Sequence, residues 1–255
     1  DGAVQIIGDP RDATLLDSLP GEISTIVHLE PICDTALLPQ ERLGRTVQGT
    51  YQLATSFAEK TPNGRFILAS TGDLFGTLWT QYRINERWRP RPTPSQSQLF
   101  PYLAEQSLRE VARVTGLSAI CLRMGEIVDE SASLTENPDP RWLHANDAVA
   151  AIACGISAEQ NGWGIDHIGA RGEEAAIDST LAKEQLSYNP SRGFDTSSGS
   201  GGGQPAKSTT IPVMPRAIRT VAIFGAGGPL GSAITAELSR DYELRLSDVK
   251  PLDEL

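Results

Sequence analysis

Gly225, Gly228 and Gly231 recur at three-residue spacing between an apolar run, Thr220–Phe224, and a helical pattern over Pro229–Leu238. The first glycine permits a tight turn, the second lets backbone N–H groups approach a phosphate, and the third lets the helix pack close to the strand. Pro229 suits a first helical position. With Leu230 it stands at the helix N-terminus, where the helix dipole favours an anion. A second strand, Glu243–Ser247, ends at Asp248, whose carboxylate can accept hydrogen bonds from both hydroxyls of an adenosine ribose. Strand, glycines, helix, strand and acid in this order predict a dinucleotide site. The acid favours NAD over NADP, whose 2′-phosphate it would repel.

The rest of the chain must supply a sheet around that unit. Val4–Ile7, Thr25–Leu29, Arg65–Ser70, Ser118–Arg123 and Ile165–Ile168 read as strands. Most are continuous apolar runs, as strands buried on both faces should be. Between them, apolar positions at helical spacing fall over 44–58, from Pro101 to Gly116, over 147–156 and over 181–186. Pro101 is expected in the first turn of its helix. Residues 77–100, rich in Pro, Arg, Gln and Trp, read as a long surface loop whose Trp79, Trp88, Arg83, Arg87, Arg89 and Arg91 could meet an anionic or sugar ligand. The alternation predicts an α/β, Rossmann-like, doubly wound parallel sheet with a small substrate region.

The order of the parts is unusual, because the glycine unit normally opens such a domain. Joining Leu255 to Asp1 turns the ends into strand, short loop and strand, so the chain reads as circularly permuted. In this reading residues 1–195 carry the third strand onward plus the substrate region. Residues 196–216, rich in Gly and Ser, form a flexible linker or arm, and 217–255 supply the first βαβ unit of the same domain. The rival is a truncated tandem of two domains, which must explain why the first copy lacks what the second supplies.

Read in that restored order, the chain resembles the extended short-chain dehydrogenase/reductase superfamily, the NAD-dependent epimerase/dehydratase group. Asp9-Pro10-Arg11-Asp12 is similar to its D-x-x-D stretch, and Ile26-Val27-His28-Leu29 to its VVHLA strand. Thr46–Thr50 resembles its N-V-x-G-T helix, Ser70–Gly76 its S-S/T-x-x-v-y-G segment, and Leu122–Val128 its L-R-x-g-x-v-y strand. The resemblance implies NAD as cofactor and a sugar-like small-molecule substrate. It places Asp9 beside the adenine, with Pro10 and Leu29 along the cofactor, and makes Thr71 the group that binds the reactive hydroxyl. The tail length is closest to uronate dehydrogenase-like members.

The same resemblance exposes a departure. The family's proton relay is Y-x-x-x-K, in which Tyr exchanges a proton with the substrate while Lys lowers its pKa. Counting back from Leu122-Arg123, these positions fall on Ser97 and Pro101. Serine is too weak an acid and proline has no charge. Tyr102 is the nearest replacement, but five residues on it points roughly 140° away around the helix; it reads either as a relay or as a packing residue. Glu30 stands where the family keeps small residues beside the cofactor. It could repel the pyrophosphate, act as a relocated acid/base, or turn outward with Pro31 following. Asp73 and Glu126, near strand ends, read either as weaker acid/base candidates or as solvated or capping residues. His28 and His167 read as core residues and His144 as loop support; no pair has metal-ligand spacing.

Composition narrows the classes. The net charge is −10, with no basic block of the kind that neutralises nucleic-acid phosphates. No apolar run approaches the roughly 20 residues needed to cross a bilayer. Cys33, Cys121 and Cys154 form no C-x-x-C pair and read as buried thiols in a reducing cytoplasm. Two functions stay open: an NAD-dependent oxidoreductase or epimerase with an atypical acid/base, possible as a homodimer, and a cofactor-binding pseudoenzyme without the relay.

Overall fold

A computed structural model describes residues 4–12, 14–18, 22–32, 37–129, 138–193 and 220–248. The expected linker at 196–216, the junction at 249–255 and Cys33 lie outside them. In chain order the elements are β1 (Val4–Ile7), α1 (Leu15–Ser18), β2 (Thr25–His28), α2 (Pro39–Leu43), α3 (Gly49–Lys60), β3 (Arg65–Thr71), α4 (Gln96–Thr115) and β4 (Ser118–Met124). Then follow β5 (Glu126–Val128), β6 (Trp142–His144), α5 (Ala145–Ser157), β7 (Trp163–Ile168), α6 (Thr180–Leu186), β8 (Thr220–Phe224), α7 (Pro229–Leu238) and β9 (Glu243–Asp248).

Seven strands form one sheet in the order β1-β9-β8-β2-β3-β4-β7, every pair parallel. Parallel strands must be covered on both faces. Leu53, Phe57, Leu108 and Val111 bring α3 and α4 onto one face. Ala148, Ile152, Leu186, Ile234 and Leu238 bring α5, α6 and α7 onto the other. Crossovers leave β8 and β2 in opposite directions, so the sheet has its switch point between them. Ligands of such sheets bind there, beyond the C-terminal strand ends. The expected Rossmann-like, doubly wound α/β class is what the chain adopts.

Three local differences matter. α4 begins at Gln96, so Pro101 lies inside it and not in its first turn. Lacking an N–H, Pro101 cannot donate to the carbonyl of Ser97 one turn back. Residues 77–100 are less exposed than expected. A 3₁₀ stretch runs through Thr80, and Leu74, Phe75, Trp79, Ile84 and Ile177 form a third apolar cluster beneath the loop. The loop also closes the outer edge of β7, where Glu86 Oε1 accepts the His167 N–H at 2.8 Å. Finally, β5 and β6 make a small two-stranded sheet that short-range pattern did not announce.

Candidate functional site

The glycine loop leaves β8 at Gly225, whose φ of +83° is a left-handed conformation that favours glycine. Gly225 N and Ala226 N donate to the Ser247 carbonyl at 3.0 and 3.3 Å, and Gly227 N donates to Asp248 Oδ2 at 2.9 Å. These bonds tie the turn to the end of β9. Gly231 allows close packing, since a Cβ there would lie 2.3 Å from the Ala226 carbonyl oxygen. Gly228 is different: among the described residues, no atom outside its immediate chain neighbourhood lies within 4 Å of the position its Cβ would take. The loop therefore has an open concave side at Gly228, at the N-terminus of α7. Pro229 has no N–H to offer there, so Leu230 carries the first helical donor.

The neighbouring loops hold three carboxylates. Asp248 ends β9, and the Asp9 carboxylate accepts from the backbone N–H and the guanidinium of Arg11. That pairing holds Asp9 below the usual carboxylate range and occupies the group that the family resemblance placed at the adenine. Pro10 is buried, and a Cβ on Gly49 would lie 2.9 Å from its Cβ. Leu29 is wholly buried in the core, and its N–H donates to the Phe224 carbonyl at 2.9 Å, which joins the ends of β2 and β8.

Glu30 opens a 3₁₀ turn directly after β2 and is only 7% exposed, so the outward-turned alternative is not what the chain adopts. Burial is the main force raising its carboxyl pKa to about 7. Asp248 and Asp9 push in the same direction, while Arg45 and Arg42 oppose it. No hydrogen bond or ion pair involving this carboxylate is found among the described residues.

Across the switch point, at the C-terminal ends of β3 and β4, lies a cavity of about 650 Å³. Ser70, Thr71, Met124 and Gly125 form its strand-end side. Ser97 enters from α4, Asp73 and Trp79 from the 3₁₀ stretch, and Arg42 and Arg141 from opposite segments; Pro31, Ile32, Glu126 and Ile127 complete the wall. Thr71 Oγ1 accepts the Asp73 N–H at 3.1 Å, which leaves the hydroxyl proton available to donate. The Asp73 carboxylate is half-buried, and burial raises its pKa against the pull of Arg141. Arg141 is gripped by Asp139 and lies 5.6 Å from the Trp79 ring centroid. The Arg42 side chain has no ion pair among the described residues.

Tyr102 is not among the lining groups. Its ring packs with the Leu74, Phe75 and Trp79 cluster, as its roughly 140° offset from Ser97 on the helix requires. The relay role considered for Tyr102 therefore finds no support in its position, whereas Ser97 borders the cavity. The arginines of the 77–100 loop are likewise absent from the wall; Arg83 instead pairs with Asp178 at 3.5 Å.

Beneath Thr71 lies a buried network that sequence reading missed. Glu105 of α4 is 0% exposed and accepts from Ser70 Oγ at 2.6 Å and from Arg123 Nε and Nη2 at 3.0 and 2.6 Å. The Arg123 guanidinium also lies 5.6 Å from the Phe75 ring centroid. This bidentate pair locks α4 to β3 and β4, and so fixes Ser97 relative to Thr71. Its signals were a carboxylate next to the apolar stripe of α4 and an arginine inside an apolar strand.

The histidines take supporting places. His28 is buried edge-on to Phe66 and Phe224, and His167 to Phe75; burial holds both near pKa 3. His144 caps α5, its Nδ1 accepting the Asn146 N–H at 3.2 Å. Cys121 and Cys154 are buried thiols.

Neither a protein-family model nor a curated protein matches the chain. Solved structures do. Glucuronic acid dehydrogenase from Chromohalobacter salexigens is 18% identical, with a TM-score of 0.60 over 74% of this chain and 69% of that one. A short-chain dehydrogenase/reductase superfamily protein from Agrobacterium tumefaciens, solved with bound NAD, is 16% identical, with a TM-score of 0.60 over 74% and 81%. UDP-glucose 4-epimerase from Thermotoga maritima is 16% identical, with a TM-score of 0.53 over 68% and 74%. At these identities the likeness establishes the fold, and the fold is Rossmann-like.

Proposed function

We propose that the chain is an NAD-dependent oxidoreductase or epimerase of the extended short-chain dehydrogenase/reductase type, acting on a hydroxyl of a sugar or sugar acid. One observation carries this reading. The glycine cradle after β8 and the hydroxyl-lined cavity after β3 and β4 open from the same end of one sheet, on the two sides of its switch point. The open position at Gly228, the helical donor at Leu230 and the acid at Asp248 fit a dinucleotide. Asp248 disfavours a 2′-phosphate, so NAD is the expected partner. The bound dinucleotide would supply the hydride acceptor. Thr71, with its free hydroxyl proton, would hold the reacting oxygen. Arg42 and Arg141 suit a substrate carboxylate, in keeping with the uronic-acid enzymes among the structural neighbours.

Titration of the protein with NAD and NADP, followed by absorbance of NADH over a panel of uronic acids and neutral sugars, tests the proposal. Tighter binding of NAD and turnover of at least one panel member are expected. No NAD binding would overturn it. The second reading, a pseudoenzyme, draws on Ser97 and Pro101 at the relay positions; NAD binding with no turnover across the panel would favour it.

The permuted order belongs to this reading too. Counting from β8, the sheet order becomes 3-2-1-4-5-6-7, the arrangement of a dinucleotide-binding sheet that starts at its glycine unit. Moving residues 217–255 ahead of residue 1 is then expected to leave melting temperature and NAD affinity unchanged. Loss of folding in that variant would favour a tandem origin.

A further inference from the structure

With a Rossmann site for hydride transfer and no Tyr/Lys relay, the proton of the reacting hydroxyl needs another acceptor. Four groups compete for that role. Ser97 borders the cavity, but a serine hydroxyl without a base is far too weakly basic at neutral pH. Tyr102 packs into the Leu74, Phe75 and Trp79 cluster. Glu30 is not part of the cavity wall and sits on the cofactor side of the switch point, among Asp248, Asp9, Arg45 and Arg42. Glu126 lies on the wall, but its side chain is 53% exposed and 3.8 Å from Arg141.

Asp73 differs from all four. It borders the cavity together with Thr71, two residues along the same turn, and its own N–H orients the Thr71 oxygen. Among the described residues its carboxylate has no hydrogen bond or ion pair. Arg141, also on the cavity wall, is the charged group that acts on it.

We infer that Asp73 is the proton acceptor of this site, a carboxylate serving in place of the missing phenol. The inference rests on the dinucleotide-dependent reading above. In the oxidative direction Thr71 would hold the substrate hydroxyl. The O–H bond breaks with its proton passing to an Asp73 carboxylate oxygen, and the C–H bond breaks with its electron pair passing to the nicotinamide ring of NAD⁺. A carbonyl and NADH are formed, and Asp73 then releases its proton to solvent through the open cavity. Burial supports the role, because it raises the basicity of the carboxylate above that of a solvated aspartate.

The test uses the full chain and Asp73→Asn, with NAD and glucuronate or galacturonate as probes. NAD affinity of the variant is expected within about twofold of the parent. Its kcat should fall by about 10²- to 10⁴-fold with KM nearly unchanged, the size of effect for a lost general base. A readout independent of turnover is the ¹³C titration of the Asp73 carboxyl in the NAD-loaded protein, whose midpoint should move when the sugar acid binds. Three outcomes overturn the assignment: a variant with parental kcat, a bound sugar acid that leaves the titration unmoved, or a parent that binds both NAD and sugar acid without hydride transfer. Absence of NAD binding is a separate result; it overturns the functional reading on which the inference stands.

Discussion

Glu30 makes cofactor binding a function of pH, and the size of the effect can be worked out. It is 7% exposed, with Asp248 and Asp9 repelling its charged form and Arg45 and Arg42 attracting it. A pyrophosphate brought to the glycine loop adds negative charge to a region that already holds three carboxylates. If the dinucleotide binds only when Glu30 is protonated, its apparent Kd scales as one plus the ratio of ionised to protonated Glu30. With the carboxyl near pKa 7, Kd is close to its limit at pH 6. It is then about tenfold weaker at pH 8 and about 100-fold weaker at pH 9, about 1.4 kcal/mol per decade. Glu30→Gln mimics the protonated form and should show neither slope. Calorimetric NAD titration from pH 6 to 9, in buffers of different ionisation enthalpy, measures both Kd and the proton taken up on binding. A parent whose Kd is flat over that range, or a Glu30→Gln variant with the parental slope, would refute the reasoning. The same group acts on folding with a defined sign. Its folded pKa lies above the ordinary 4.5, so the folded state holds the proton more tightly. Stability is therefore lost as pH rises from about 4.5 to about 7, by up to about 3 kcal/mol, a loss absent in Glu30→Gln.

Asp166 is wholly buried without a hydrogen-bond partner among the described residues, and burial, reinforced by Glu86, pushes its carboxyl up to about 7. Urea melts at pH 5 and pH 8 should show the parent losing about 2–3 kcal/mol more than Asp166→Asn. Gly231→Ala forces a Cβ to 2.3 Å from the Ala226 carbonyl oxygen and should cost about 1–3 kcal/mol in thermal melts. Gly228→Ala meets open space, so it should melt normally and weaken NAD binding. Glu105→Ala strands the Arg123 guanidinium in the interior and should destabilise by about 3–5 kcal/mol, seen as a drop in Tm.

What could be read from the sequence was what depends on neighbours in the chain. The strands announced themselves as apolar runs, and the glycine unit as residues required by local backbone geometry and by the close approach of one helix to its own loop. The start of α4 was misplaced because Pro101 fits a first helical position by its intrinsic geometry. Burial of Phe100, Pro101 and Ala104 outweighs one missing helical hydrogen bond and carries the helix back to Gln96. The pairing of Glu105 with Arg123 spans 18 residues and two elements. No periodicity marks it; only a carboxylate beside the apolar stripe of α4 and an arginine inside an apolar strand hint at the pair.

The cavity was harder still, because its wall comes from segments far apart in the chain. Arg42, Thr71, Ser97 and Arg141 meet only once the sheet is formed, and the arginines expected to face a ligand from the 77–100 loop are not the ones on the cavity wall. This bears on the proposed reading of Ser97 and Pro101 as relay positions. Ser97 and Pro101 at the proposed relay positions argue for a site without chemistry, yet α4 is clamped to β3 and β4 through Glu105, and Ser97 borders the cavity. Merely to pack, α4 has no need for so costly a buried ion pair, since apolar residues of similar volume can often replace such a pair at no loss of stability. Its presence is better explained if the geometry it enforces, Ser70 and Thr71 held at the cavity, matters to function. On the reading proposed above, the chemistry would lie on the turn after β3, where Thr71 and Asp73 sit on the same scaffold that the clamp holds in place.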